Sequence, residues 1–464
     1  MSKLTIYNTL SGKKEELKPM KGKKVNLFVC GPTVYDYVHL GNARTCIIFD
    51  AFAKYLKYSG YSVFYLQNIT DVDDKIIQRA REKQVPFKDL AEAFEQQYFK
   101  DMKAIGVTAV KKYAKATSHI KDIISQIKRL KEKGFAYDIE GDGVYFDISK
   151  FKDYGKLAGR TVQQAEDGVT RIDYSRDKRN RGDFCLWKLR QDESEPSWAS
   201  PFGHGRPGWH IEDTAITEKF FGAQYDIHGG GQDLIFPHHE AEVAQMEAVS
   251  GKKPMAKYWM HTGFLTINGQ KMSKSLGNFM FLQDFLHRYP ANYLRYFVLK
   301  NLWRQPIDYS ESSMMEVKSA IEKIEELLRK LKMVKTKGRH AKLAKKLSTE
   351  FYDALNDDFS TPKAFAVMFD FVKVANQLIT EDKLSDKDAK EIFTFFKEMN
   401  TIFGIIDFKK IGTGAPAAIQ KMVQERETAR QNQDWKTSDE LRKLIESKGY
   451  ILEDTKDGAV IKKR

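Results

Sequence analysis

Between Val25 and Tyr58 the chain reads as a strand, a glycine break and a helix start. This junction restricts the possible folds more than any other feature. Val25–Cys30 is a short apolar run with β-branched and aromatic residues, the pattern of a buried strand. Gly31-Pro32 breaks it. From Gly41-Asn42 a helical pattern runs to about Tyr58, with Ile47, Ile48, Ala51, Phe52 and Tyr55 on one face and Asn42 as the expected N-cap. Gly60 ends the helix, and Val63–Asn68 is the next strand. This is a β-α-β unit, expected to be right-handed. In such a sheet, ligands bind at the first strand-to-helix turn.

At roughly 100–200 residues per domain, 464 residues predict three or four domains. No internal repeat is present. From about Lys121 to Pro201 the pattern changes: helices, then Gly141-Asp142-Gly143 as a turn, then a strand at Val144–Asp147, then polar stretches through Arg176–Asp183. This region is expected to be an insertion that splits the first domain. Strand and helix signals return from Gly208 to Ser250. Gly263–Ile267, Asn268-Gly269 and the lysines that follow predict a strand, a tight turn and a loop. After about Ser310 the chain is nearly all amphipathic helix to Gly404, and Gly412-Thr413-Gly414-Ala415-Pro416 introduces a small C-terminal unit.

Lys and Arg number 77 against 63 Asp and Glu, a net charge of +14. Such an excess fits either an anionic partner such as nucleic acid or a merely solvated basic surface. The dense run from Arg329 to Lys346 is read as a solvated helix face or linker. Cys30, Cys46 and Cys185 form no CxxC pair, which fits a reducing compartment. No apolar run approaches the ~18 residues that span a bilayer, and no secretory leader pattern opens the chain. A cytoplasmic protein is expected.

Two short motifs carry the chemistry. The first, Cys30-Gly31-Pro32-Thr33-Val34-Tyr35-Asp36-Tyr37-Val38-His39-Leu40-Gly41-Asn42, lies between a strand and a helix N-terminus. Free backbone N–H groups and the positive end of the helix dipole favour a phosphate there. Gly31 and Gly41 permit close approach, and His39 can donate a hydrogen bond to a phosphate oxygen. His39-Leu40-Gly41 alone would equally suit an ordinary turn. The second is Lys271-Met272-Ser273-Lys274-Ser275, flanked by Gly269 and Gly277. Two lysines on a glycine-bounded loop suit nucleotidyl transfer, where cationic donors meet charge developing in the transition state. Taken singly, it is also what a solvated basic loop looks like.

Together, the His39-Leu40-Gly41 helix start and the KMSKS string resemble the double signature of class I aminoacyl-tRNA synthetases. The wider context resembles cysteinyl-tRNA synthetases over essentially the whole chain. Supporting strings are Tyr7-Asn8-Thr9, Asn68-Ile69-Thr70-Asp71, Asp73-Asp74-Lys75-Ile76, Gly205-Arg206-Pro207-Gly208-Trp209-His210-Ile211-Glu212, His228-Gly229-Gly230-Gly231, Phe236-Pro237-His238-His239-Glu240 and His261-Thr262-Gly263-Phe264. The resemblance implies an α/β fold: a Rossmann-like parallel-sheet catalytic domain with an insertion, an α-helical bundle and a small C-terminal anticodon-binding domain. The expected division is 1–120 and 205–262 for the two catalytic halves and 121–204 for the connective insertion. Residues 263–310 would form the KMSKS and stem-contact region, 311–411 the tRNA-binding bundle, and 418–464 the anticodon unit.

The same resemblance implies the substrates ATP, L-cysteine and tRNA(Cys), Mg²⁺ accompanying ATP, and a monomer. Its alternative is a cysteine–amino-sugar ligase with the same adenylation core, which lacks the C-terminal unit. His39, Asn42, Lys271 and Lys274 are the expected catalytic groups. Gly31, Pro32, Thr33, Gly41, His228, Gly229, Gly230, Gly231, Asp233 and Lys274 are expected to contact ATP, with the glycine run lying against adenosine. Cys30, Thr70 and Trp209 are expected at the cysteine pocket, and Arg430 and Trp435 at the tRNA. Asn42 stands where the family has a second histidine. The family's zinc ligands are two Cys, one His and one Glu; the matching positions are Cys30, Asp213, His238 and Glu242, so Asp213 replaces a cysteine. From spacing alone, His238 and Glu242 share a helix face started by Pro237, which equally suits a core histidine beside helix-terminal acids. With the resemblance, zinc is the expectation, and it would separate cysteine from serine by binding thiolate.

Overall fold

The structure, a computed structural model, describes residues 2–160, 164, 175–272, 278–337, 342–412, 417–455 and 458–463. Its centre is a five-stranded, wholly parallel sheet in the order Ala256–Thr262, Tyr225–Gly231, Lys24–Val29, Ser62–Ile69, Lys112–Lys115. Lys24–Val29 presents Val25, Leu27 and Val29 on one face and Phe28 on the other, and both faces are covered by helices. Val25, Leu27 and Val29 pack with the Leu40–Tyr58 helix, whereas Phe28 and Leu66 pack with helices Ile120–Glu132, Ile211–Phe221 and Glu240–Ser250. The order of the strands reverses direction between Lys24–Val29 and Tyr225–Gly231. A crevice forms at the carboxyl ends of strands where that happens.

The expected β-α-β unit is present, but the helix begins earlier than Asn42. His39 is the N-cap: its backbone is extended, and its Nδ1 accepts from the N–H groups of Gly41 and Asn42 at 3.1 and 3.4 Å. The imidazole thus caps the helix three residues before the expected Asn42 cap, satisfying the first-turn donors of Gly41 and Asn42. Asn42 lies in the first turn, exposed.

The insertion is an antiparallel sheet of Ala136–Ile139, Gly143–Phe146, Phe184–Leu189 and Gly205–Pro207. Its last strand lies beyond the expected boundary at residue 204, because Gly205–Pro207 pairs with Phe184–Leu189. Asn268 and Gly269, with φ of +50° and +75°, form the expected tight turn between Leu265–Ile267 and Gln270–Lys271. Leu265–Ile267 also pairs in parallel with Ile307–Tyr309.

Glu311–Met333, Leu343–Asn356, Thr361–Thr380 and Asp386–Phe403 form the helical bundle. Arg295 ties it to the sheet domain, donating to Asp50 at 2.9 Å and to the carbonyls of Phe403 and Ile105 at 2.5 and 3.1 Å. Helices Ala417–Gln431 and Trp435–Ser447 and the hairpin of Tyr450–Thr455 and Gly458–Lys463 enclose a separate small core of Ile419, Val423, Ile445 and Leu452. Among the described residues, no helix is long and apolar enough to cross a membrane.

Candidate active site

A cavity of about 410 Å³ opens at the carboxyl ends of the Lys24–Val29 and Tyr225–Gly231 strands. Gly31, Pro32, Thr33, His39, Gly41 and Asn42 form one wall. Gly231, Asp233, Thr70, Trp209 and Lys271 form others, and Cys30, Asp213 and His238 reach it from below. Gly31 is required by a close approach: a Cβ there would stand 1.8 Å from the Asn68 carbonyl oxygen. Its N–H donates to Asn68 Oδ1 at 2.6 Å. Lys274 lies outside the described residues. Lys271 ends its hairpin with the ammonium 5.7 Å from the Phe264 ring centroid.

His228, Gly229 and Gly230, expected against ATP, do not line the cavity. The His228 side chain is buried, stacks on Trp259, and meets the Tyr225 hydroxyl at Nδ1 and Cys30 Sγ at Nε2, 2.7 and 3.6 Å away. A Cβ at Gly229 would lie 2.3 Å from the Phe49 ring, and one at Gly230 would lie 2.7 Å from His239. These glycines let a helix and a histidine press on the strand. Of the residues expected against ATP here, Gly231 and Asp233, at the strand's end and just past it, line the cavity, together with Leu234.

Beneath the cavity, thiol, imidazole and carboxylate donors converge. Cys30 Sγ is 3.5 Å from Asp213 Oδ2, and His238 Nε2 is 3.0 Å from Asp213 Oδ2 and 3.1 Å from Glu242 Oε1. Pro237 does not start the helix as expected. The helix runs from Glu240, and the turn before it still brings His238 and Glu242 together. Sequence reasoning missed a second set that shares two members, Cys30, His228, His239 and Glu242, with Cys30 Sγ 3.0 Å from His239 Nε2. The tandem His238-His239 was the available signal. The outer ring nitrogens are held: His238 by His210, His239 by His261, and His261 in turn by Thr9, each at 2.8 Å.

Electrostatics favours a cation here. Burial, then Glu242 and Asp213, push the Cys30 thiol well up; burial, then Asp213 and Glu212, do the same to Glu242. Burial also lowers His228, His239 and His210, and takes His261 to about 3. Asp213 Oδ1 and Glu242 Oε2 are buried with no hydrogen-bond partner, and no Lys or Arg forms an ion pair with either residue among those described. A buried set of acids without a cation is costly. Donors around a tetrahedral zinc ion stand roughly 3.3–3.8 Å apart. The residues present therefore fit a metal.

In the C-terminal unit, Trp435 is 60% exposed at its helix start. Arg430 Nη1 pairs with Asp454 at 2.7 Å. Neither approaches the cavity lining.

Residues 16–319 match the tRNA synthetases class I (C) catalytic domain, and residues 350–407 match the DALR domain. Methionyl-tRNA synthetase of Mycobacterium tuberculosis, solved with methionyl-adenylate, shares the fold with a TM-score of 0.64 and 16% identity over 84% of this chain and 92% of that one. A putative arginyl-tRNA synthetase from Campylobacter jejuni superposes with a TM-score of 0.57 and 14% identity, covering 86% and 95%. Fold and site together define a class I tRNA synthetase. Proteins named cysteine–tRNA ligase from Thermococcus onnurineus, Heliobacterium modesticaldum and Thermoplasma volcanium are 40%, 42% and 43% identical to this chain. The alignments cover 98–99% of this chain and 99% of each relative. The chain belongs to the cysteine–tRNA ligase family, and the amino-sugar ligase alternative has no support.

Proposed function

We infer that this chain joins L-cysteine to tRNA in two steps at the cavity between the Lys24–Val29 and Tyr225–Gly231 strands. In the first, the cysteine carboxylate attacks the α-phosphorus of ATP and pyrophosphate leaves. In the second, a terminal ribose hydroxyl of tRNA attacks the adenylate carbonyl and AMP leaves. Positioning and charge stabilisation suffice for both. The observation that carries the reading is the convergence on one cavity of the His39 helix start, the Lys271 hairpin and the Cys30 donor cluster.

His39 accepts through Nδ1, so its ring proton sits on Nε2, available to a phosphate oxygen. Asn42, exposed in the first turn, offers its carboxamide to the same phosphates. Lys271 and Lys274 stabilise the pentavalent transition state, with Mg²⁺ carried on ATP. Gly31, Pro32, Thr33 and Gly41 border the phosphates, and Gly231 and Asp233 border the nucleoside. Trp209, stacked on His238 at 4.3 Å, and Thr70, which donates to Glu212, shape the cysteine pocket.

Cys30, Asp213, His238 and Glu242 are the residues that would hold zinc. When bound, it would supply preferential recognition of a thiolate over a hydroxyl. Arg430 and Trp435 contact tRNA(Cys), Trp435 by stacking. The chain acts as a monomer in the cytoplasm.

The test is cysteine-dependent ATP–pyrophosphate exchange together with charging of tRNA(Cys), each repeated with serine. Exchange without charging, or equal use of serine, would overturn the reading.

A further inference from the structure

The segments on either side of the KMSKS string are fastened to the start of the Leu40–Tyr58 helix and to Val38 just before it, where the cavity is bordered. On the exit side the ties are backbone bonds: Leu40 donates to the Met280 carbonyl at 3.2 Å, and Leu282 donates to Val38 at 2.8 Å. On the entry side the ties are side chains: the Thr45 and Thr262 hydroxyls meet at 2.7 Å, and beside them stands Arg44, only 1% exposed. Its Nη1 donates to the carbonyls of Gly263 and Phe264 at 2.5 and 2.6 Å. Its Nη2 donates to Trp303 at 3.1 Å and to Gln305.

These carbonyls come from two segments. Gly263 and Phe264 lead into Leu265–Ile267, and Trp303 and Gln305 lead into Ile307–Tyr309, which pairs with it. Arg44 therefore stands where both strands enter the small sheet that carries Lys271. The junction is tight: a Cβ at Gly263 would lie 2.4 Å from the Gln305 carbonyl. Among the described residues no acidic group pairs with the guanidinium, and burial draws its pKa down to about 9, so it is charged at neutral pH. A buried unpaired charge is a poor way to fill space. A planar fork of donors is, however, suited to spanning several carbonyls at once, which a lysine ammonium cannot reproduce.

We propose that Arg44 is a positioning residue for adenylation, fixing the Leu265–Lys271 hairpin to the helix that starts at His39 and so setting where Lys271 stands relative to the phosphates. This rests on the adenylation reading of the cavity. Absence of cysteine-dependent exchange in the unaltered chain would defeat both that reading and this one, whereas exchange in the unaltered chain that an Arg44 variant fully retains would defeat this one alone.

The test compares Arg44→Lys with Arg295→Lys in the full chain. Arg295 also donates to buried carbonyls, but it joins bundle to sheet away from the cavity. Both variants should lower Tm. Arg44→Lys should also lower kcat for exchange at least about tenfold, with KM for cysteine within about twofold, as expected when a reacting group is displaced. Arg295→Lys should leave kcat near its original value. Arg44→Gln, neutral and retaining two donors, is the second variant and should behave as the lysine does. A folded Arg44 variant with unchanged kcat overturns the proposal. So do equal kcat losses in the Arg44 and Arg295 variants, or failure of both Arg44 variants to fold, since each makes the residue's role purely structural.

Discussion

Asp213 stands where the family pattern has a cysteine, and its carboxylate lies 3.5 Å from Cys30 Sγ and 3.0 Å from His238 Nε2. A carboxylate is a harder ligand than a thiolate, so zinc should be held less tightly than by two thiolates. Asp213→Cys is expected to raise zinc affinity about tenfold or more, read by competition with a chromogenic chelator; an unchanged affinity would remove Asp213 from the ligand set. His239→Ala bears on the second donor set. If that variant loses its ion while Asp213→Ala keeps it, the histidine set holds the metal. At Lys274 the expectation rests on sequence alone: Lys274→Ala should slow pyrophosphate exchange about 10²–10³-fold, with cysteine binding little changed. An exchange rate within a few-fold of the unaltered enzyme would sink the assignment. His228, expected at the nucleotide, instead turns its side chain into the packed interior. A histidine beside three glycines suggests a nucleotide contact, but side-chain direction follows strand alternation and helix packing, which no local string records.

At the scale of elements, most strands and helices were legible because their signals are local. The Asn268-Gly269 turn needs two positive φ values, and the dipeptide announces it. The helix cap at His39 was less legible, since Ser, Thr, Asp and Asn are the favoured N-caps and Asn42 stands three residues on in the same motif. The C-terminal hairpin has a pH-dependent fastening. Asp454 accepts from Arg426 at 2.8 and 3.0 Å and from Arg430 at 2.7 Å. The Arg426 hydrogen bond, outweighing burial, holds its carboxyl down at about 2 against an ordinary 3.8. A depressed carboxylate stabilises fully above its unfolded value and ceases to as pH falls through the folded one. The C-terminal unit should therefore keep this contribution above about pH 4 and lose it toward pH 2. Asp454→Asn should weaken the unit at neutral pH and flatten the response. Acid titration followed by Trp435 fluorescence measures both.

The whole molecule divides its labour between the sheet domain, which holds the cavity, and the helical and C-terminal parts, which hold none of the cavity-lining residues. Deletion from Ala418 onward should spare exchange and impair charging, since the small C-terminal core is self-contained; loss of both activities in a folded truncation would refute that division. The sequence by itself determined the α/β core, the inserted segment, the helical region and the two signature motifs. Each is written in nearest-neighbour periodicity, turn residues or short strings. Tertiary structure alone decided that His228 and His239 join Cys30 and Glu242, that Gly229 and Gly230 serve packing, that Gly205–Pro207 belongs to the inserted sheet, and that Arg44 clamps two distant segments. The physical reason is range: these contacts join residues far apart in the chain, and they are set by strand order and burial rather than by any local pattern.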